Sequence, residues 1–458
     1  MPSYNKLIAE KNKCYPTDIT ADSMQSSVPL QNLLNHTTLR LLESSKMAII
    51  NHEKKNNSEI TSLKLITKFG YDGSTNHPIL NIKDDENNND YITLDTNIIT
   101  TFICPIKLII ENSNIILWSN PVPASPKYCR PVEIIHKKET ESTIKEIENK
   151  IQDAIRNLLP TIKDNITIHH ILVQTMIDGK VCQTISDIKS RSSCYICKPS
   201  TKPSSMNNLN EIKKKSIVSS FLELGVSPLH LYINTMECIL HIAYKQSIKK
   251  WSPRGIKNKE IIKKKKIEIQ KGLKDELGIN VDKPLPGSTG NTNTGNVARK
   301  FFKEYKITSK ITGIKEELIK RFYIILITLN SGFDIDSNKY KEYAEETAKL
   351  YIDSYKWYYM PLSVHKMLLH GSEIIEALPI TIGESSEEAI EATHKYIRKT
   401  FKDHTLKISR RRINEDIINW LLISSDPLIA SSMTNKRKSK DPLPSECLEL
   451  LKEPPVPN

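Results

Sequence analysis

"TESTIKEIENKIQDAIRNLLPTIKDNITIHHILVQTMIDG", residues 140–179, sets two periodicities side by side. Ile144, Ile147, Ile151, Ile155 and Leu158 recur every third or fourth position, one stripe of an amphipathic helix, and Pro160 stops it. The run "NITIHHILVQTMIDG" that comes next is β-branched and apolar and ends at Asp178-Gly179, the pattern of a strand. Upstream, "SLKLITKFGYDG" (62–73) alternates Leu63, Leu65 and Phe69 and ends at Asp72-Gly73. "YITLDTNIITTFICPIKLII" (91–110) and "NIILWSNP" (114–121) read as further strands around the turn "ENSN". Strands, then a helix, then a strand predict a layered α/β domain over 61–190.

Around this domain the composition changes. Residues 1–60 are polar except for "LQNLLNHTTLRLLES", whose leucines at 30, 33, 34, 39, 41 and 42 suggest a packed or dimer-forming helix. Residues 191–372 read as helical and basic, with Lys263, Lys264, Lys265 and Lys266 consecutive and Arg299 and Lys300 beside Phe301 and Phe302. A late helical region, 373–428, includes "SSEEAIEATHKYIRKTF", where Ser385 and Glu388 have capping-box spacing. Residues 429–458 read as a disordered basic tail. No repeat of some 20 to 50 residues is visible.

The bulk numbers narrow the classes. At 458 residues the chain can bury a sizeable core, and its 14 glycines and 38% hydrophobic content argue against fibrous or membrane proteins. The longest apolar runs are too short to span a bilayer, and the opening residues carry no export signal. Eight cysteines with one close pair do not form a disulfide framework, so a reducing compartment is expected. The excess of 66 Lys+Arg over 53 Asp+Glu, a formal charge of +13, suggests a polyanionic partner such as nucleic acid. AT-rich coding sequence produces the same bias with no partner at all.

Two constellations carry chemistry. Cys194 and Cys197 in "CYIC" have the spacing of half a tetrahedral zinc site, or of a redox or merely buried pair. His365 and His370 would complete a Cys2His2 site, but five residues turn a regular helix by about 140°, so a shared ion needs a helix end between them. The other constellation is acidic. Glu384, Glu387, Glu388 and Glu391 share one helical face; first-turn dipole compensation and capping explain all but Glu391, which is expected further in, on the edge of the apolar stripe. Asp72 and Asp178 both end strands before glycine, where ordinary turns also place aspartate. Three carboxylates on strand ends and a helix are also what a two-magnesium phosphoryl-transfer site requires.

At these positions the chain resembles Transib transposases and the recombination-activating catalytic subunit of the V(D)J recombinase, in particular its arthropod transposase-like relatives. "FGYDGSTNH" is similar to the family's first-aspartate motif, and "TMIDGKVCQTISDIKSRSSCYIC" to its second with the knuckle downstream. "VHKMLLHGSEII" resembles the paired histidines and "SSEEAIEATHKYIRK" the final helix. "SPLHLYINTMECILHIAYK", "TGNVARKFF" and "INWLLISSDPLIAS" resemble further blocks, so the likeness runs from about 62 to 432. The knuckle lies three residues nearer than in the vertebrate subunit, as in the transposase branch. Residues 1–60 contain no counterpart of the vertebrate module that grips the DNA signal.

The resemblance implies an RNase H-like (DDE) α/β catalytic domain with a large, mainly helical zinc-binding insertion. It implies Asp72, Asp178 and Glu391 as catalytic ligands of two Mg2+ or Mn2+ ions, and Cys194, Cys197, His365 and His370 as ligands of a structural Zn2+. It also implies nicking and 3'-hydroxyl strand transfer on double-stranded DNA, at element ends and target, by a nuclear homodimer with room for an accessory protein. A domesticated, inactive DNA-binding or regulatory protein retaining the fold is the alternative. Lys263–Lys266, Arg299, Lys300, Arg410, Arg411 and Arg412 are the expected phosphate contacts, or else solvated faces.

Overall fold

The computed structural model describes residues 3–75, 97–188, 193–198, 207–285, 290–433 and 442–453. The chain forms two compact units, Met1–Asp187 with Ser386–Ser439, and Ile188–Ser385 with Lys440–Asn458. The fold is mixed α/β, with the described strands in the first unit.

The first unit is built on a sheet of strands β1 (Thr20–Ala21), β2 (Gln25–Ser27), β3 (Ser62–Ser74), β4 (Ile98–Ile110), β5 (Ile116–Ser119), β6 (Arg130–Ile135), β7 (Thr161–Lys163) and β8 (Ile166–Gln174). Their order is β1-β2-β6-β4-β3-β8-β7, with β5 on β4. Every pair is antiparallel except β3 with β8. A strand returning parallel needs a long crossover, and helix α3 (Glu141–Arg156) supplies it between β6 and β8. Thr140 caps α3 through the Thr143 amide, and Ile144, Ile147 and Ile151 are buried as the stripe requires. The helix ends at Arg156, before Pro160.

Helices α1 (Tyr4–Asn12), α2 (Leu30–Asn56), α4 (Gly179–Ile185), α14 (Glu388–Asp403), α15 (Arg410–Ser424) and α16 (Pro427–Ser432) complete this unit, numbered along the chain. The leucine face of α2 is spent inside the unit. Leu33, Leu34 and Leu41 are fully buried, and Leu39 is the exposed one at 40%. Leu30, Leu33 and Leu34 join Phe69, Ile103 and Ile151 in one cluster; Leu41 and Leu42 join Leu63, Leu65 and Leu108 in another. Asp426 caps α16 through the Leu428 amide and accepts from Arg40 on α2 at 2.8 Å, fastening the two helices.

Strand β6 escapes sequence reading for a physical reason. Its "RPVEII" contains Pro131, which cannot donate to a ladder, and the register with β4 shifts beside it. Residues 91–96 of the second expected strand lie outside the described residues. Asp72 pairs with Thr100 inside the sheet, so Asp72-Gly73 is strand and not turn.

The second unit contains helices α5 (Leu209–Lys213), α6 (Pro228–Lys245), α7 (Ile256–Leu277), α8 (Gly295–Lys303), α9 (Tyr305–Thr312), α10 (Glu316–Leu329), α11 (Ser337–Ser354), α12 (Leu362–Leu369), α13 (Gly371–Ala377) and α17 (Ser445–Glu449). Helix α17 corrects the expected disordered tail. Cys447, Leu450 and Leu451 are buried, and Leu451 pairs with Ile335. Three apolar side chains in a polar, proline-rich stretch suffice to dock it.

Candidate metal centres

One face of β3 carries Lys68, Gly70 and Asp72, since side chains alternate along a strand. Lys68 is fully buried and its ammonium donates to the carbonyls of Pro123 at 2.9 Å and Ser386 at 2.6 Å. A buried cation is tolerable only with such partners, and here they anchor the chain that enters α14. Gly70 serves a different need. A Cβ there would overlap the Met176 carbonyl and lie 2.8 Å from the Met176 Cα, because the chain leaving β8 runs across this face. The Met176 amide donates to the Phe69 carbonyl at 3.1 Å, holding the crossing in place. Asp178 comes two residues later as the N-cap of α4, one carboxylate oxygen accepting from the Val181 amide at 2.7 Å.

Helix α14 and its N-cap present Glu387, Glu391, His394 and Arg398 at spacings of four, three and four, a single stripe. His394 Nδ1 lies 3.5 Å from Asp72 Oδ2, and Arg398 donates to the Ser74 hydroxyl at 2.8 Å, so the stripe faces the end of β3. Carboxylate oxygens of Glu387 and Glu391 come within 4.8 Å of each other. Asp72, Asp178 and Glu391 do not form a group with all ligand atoms within 4.8 Å. Asp72 and Asp178 are half-buried and Glu391 is exposed. These are hard oxygen donors of the kind that suits Mg2+ or Mn2+, arranged openly and not as a closed cage.

Two expectations about this helix are corrected. Glu388 and Ser385 form no capping box: the Ser385 hydroxyl donates back to the Ile382 carbonyl, and the Glu388 amide bonds the Ser386 hydroxyl at 3.3 Å. The helix therefore begins at Glu388, which places Glu391 in its first turn and in solvent, not on the core edge. Helix-dipole compensation applies to Glu391 after all. Sequence reading also misses His394, Lys68 and Glu387. Glu387 reads as an ordinary helix-start residue, yet it is 4% exposed.

In the second unit Cys194, Cys197, His365 and His370 are all buried, with ligand atoms within 4.8 Å of one another. His365 ends no helix, but His370 does: it is the junction of α12 and α13, at φ −128°, which permits the five-residue spacing. Tyr340 packs into that junction so tightly that a Cβ on Gly371 would lie 2.6 Å from its ring. Across the knuckle the Lys198 amide donates to the Cys194 carbonyl at 2.9 Å. Cys197 Sγ and His365 Nε2 are 3.3 Å apart.

Cys197 first, then His365 and His370, all close beside it, push the Cys194 thiol far down toward thiolate, while burial lowers His365 against the opposing pull of Cys194. His365 Nδ1 and both His370 nitrogens are buried with no hydrogen-bond partner of normal geometry among the described residues. Buried polar atoms are rarely left so, and a bound ion would satisfy some of them. The donor set fits a tetrahedral ion such as zinc.

The expected phosphate contacts separate into classes. Lys263, Lys264, Lys300, Arg411 and Arg412 are exposed. Arg410 is buried, Arg299 lies over the Tyr232 ring at 5.4 Å, and Arg412 pairs with Glu415 at 3.0 Å. Lys265 pairs with Glu268 at 2.8 Å, and Lys266 sits 5.6 Å over the Tyr244 ring.

No model of a known protein family matches the chain, and no curated protein matches it. Among solved structures it is similar to the Drosophila P element transposase strand transfer complex, at 7% identity and a TM-score of 0.37, over 94% of this chain and 87% of that one. Among the described residues, no helix is long and apolar enough to cross a membrane.

Proposed function

We propose that the chain is a metal-dependent DNA strand transferase of the DDE transposase type, in which Asp72, Asp178 and Glu391 hold two Mg2+ or Mn2+ ions. The observation that supports this reading is the crossing over Gly70, where Met176, two residues before Asp178, lies against the β3 position two residues before Asp72, while His394, three residues after Glu391, faces Asp72 itself. Three antiparallel strands, a crossover helix and a parallel strand beside the first support an RNase H-like assignment of the domain. The ions would activate water or a 3'-hydroxyl and stabilise the leaving oxygen.

The chain's own residues do the rest. Lys68 fixes the entry to α14, and the α4 cap fixes Asp178. Lys395, Arg398 and Lys402 are exposed and continue the Glu391 stripe, a row of cations suited to a DNA backbone leading away from the carboxylates. The Cys2His2 set would hold a structural zinc. A homodimer acting on two DNA ends in the nucleus completes the reading, with an accessory protein admitted.

The test is cleavage of duplex DNA built from the sequences that flank the coding region on either side. Nicking is expected with Mg2+ or Mn2+, and its loss in Asp72→Asn, Asp178→Asn and Glu391→Gln. Undiminished nicking in the three variants would refute the assignment. Two observations favour the inactive alternative: Asp178 already spends an oxygen on its helix cap, and Asp72, Asp178 and Glu391 do not form a group within 4.8 Å. Salt-sensitive DNA binding with no divalent-dependent cleavage would decide for it.

A further inference from the structure

The buried imidazole on α14 has no part in the three-carboxylate scheme. His394 is 6% exposed, three residues after Glu391, and its ring spans β4 and β3. Nε2 lies 2.9 Å from the Thr100 hydroxyl, and that hydroxyl lies 3.4 Å from the Asp72 carbonyl oxygen. Nδ1 faces Asp72 Oδ2 at 3.5 Å. Thr100 thus fixes the ring by one nitrogen and leaves the other directed at a carboxylate. That is the arrangement that orients a metal-ligating histidine, one nitrogen on the ion and the other held by a hydrogen-bonding neighbour.

The separation suits two donors on one ion. Ligands roughly 2.1 Å from a cation stand about 3 Å apart when adjacent in an octahedron, and slightly more in a tetrahedron. The observed pair needs only a small closing movement. We infer that His394 is a nitrogen ligand of the ion carried by Asp72, a mixed oxygen and nitrogen site in place of an all-carboxylate one. This rests on the proposed metal-binding role of Asp72. Imidazole suits transition metals better than Mg2+, so the site should prefer Mn2+ to a degree that carboxylates alone do not give.

Mn2+ binding to the zinc-loaded full chain, monitored by pulsed electron paramagnetic resonance, tests it without relying on activity. The expected signal is an imidazole nitrogen coupling that changes on 15N-histidine labelling. It should vanish in His394→Asn, together with a roughly 10- to 100-fold loss of Mn2+ affinity and a smaller loss for Mg2+. Labelling of the wild-type chain keeps the test open should that variant fold poorly. Mn2+ that binds in an Asp72-dependent way but shows no nitrogen coupling overturns the inference and leaves the proposed function standing. Mn2+ binding unaffected by Asp72→Asn overturns both.

Discussion

The two candidate metal centres differ in how finished they are. Cys194, Cys197, His365 and His370 are buried and gathered within 4.8 Å, with a knuckle turn at the cysteines and, at His370, the α12–α13 junction wedged by Tyr340 against Gly371. Asp72, Asp178 and Glu391 are half-buried to exposed and stand further apart. Like charges explain much of the contrast. Thiols and imidazoles can shed or share protons and crowd together, whereas three ionised carboxylates repel until cations arrive. A centre that shapes the fold is therefore expected to be preformed, and one that turns over substrate to be open on one side.

The largest effect expected from this contrast is on the closed centre. Cys197→Ser or His365→Ala should abolish binding of the zinc proposed for this centre and destabilise the second unit severely, since structural zinc contributes on the order of 10 kcal/mol to small zinc-dependent folds. Metal analysis and thermal unfolding with and without a chelator measure it. The matching carboxylate variants should leave zinc content and melting temperature nearly unchanged. Equal zinc content in wild type and His365→Ala would dissolve the distinction between the centres.

Next in size is Gly70→Ala. The added methyl meets backbone at Met176, which cannot rotate away as a side chain would. Overpacking of this kind costs about 1–3 kcal/mol, sometimes more. The crossing that carries Asp178 must shift, so nicking should fall further than stability alone accounts for. Wild-type nicking in Gly70→Ala would show that the crossing does not set the carboxylate geometry.

Legibility in the sequence divides along the same line. The helix stripe of α3, the strand containing Asp72 and the four Cys/His donors stand out because spacing and residue type define them locally. The position of His394 does not. It becomes informative only when α14 lies against β3, a contact between residues 72 and 394 that no period encodes. The start of α14 misleads for a related reason: Ser385 finds a partner behind it, at Ile382, before it can cap the helix ahead of it. Pro131 hides β6, and three apolar residues are too few to reveal α17 in a polar tail.

Acid should affect both units, for separable reasons. In the first, His36 and His170 are lowered to about 4, chiefly by burial. His36 Nδ1 is 3.1 Å from the Arg130 guanidinium and Nε2 is 2.9 Å from the Lys13 carbonyl, so the ring accepts from one and donates to the other only while neutral. Arg40 also disfavours its protonation, and Asp426 opposes that. A folded-state value below the unfolded one of about 6.5 gives stability that is complete above pH ~6.5 and lost as pH falls toward 4. Unfolding midpoints should therefore drop over that window even with zinc saturating, and His36→Gln should flatten the profile. An unchanged slope in His36→Gln would assign the acid sensitivity elsewhere, with His170 the next place to look.

The smallest effect is the most discriminating for the open centre. Asp178 combines two tasks, a helix cap and a proposed metal ligand, and substitution can separate them. Asn caps a helix about as well as Asp, whereas Ala forfeits about 1 kcal/mol. Asp178→Asn should then melt near wild type, Asp178→Ala slightly lower, and both should lose divalent-dependent nicking. If Asp178→Asn nicks normally and only Asp178→Ala is impaired, the carboxylate is a cap and nothing more. The remaining carboxylate of the centre would then have to be sought elsewhere, beginning with Glu387, which is buried and already within 4.8 Å of Glu391.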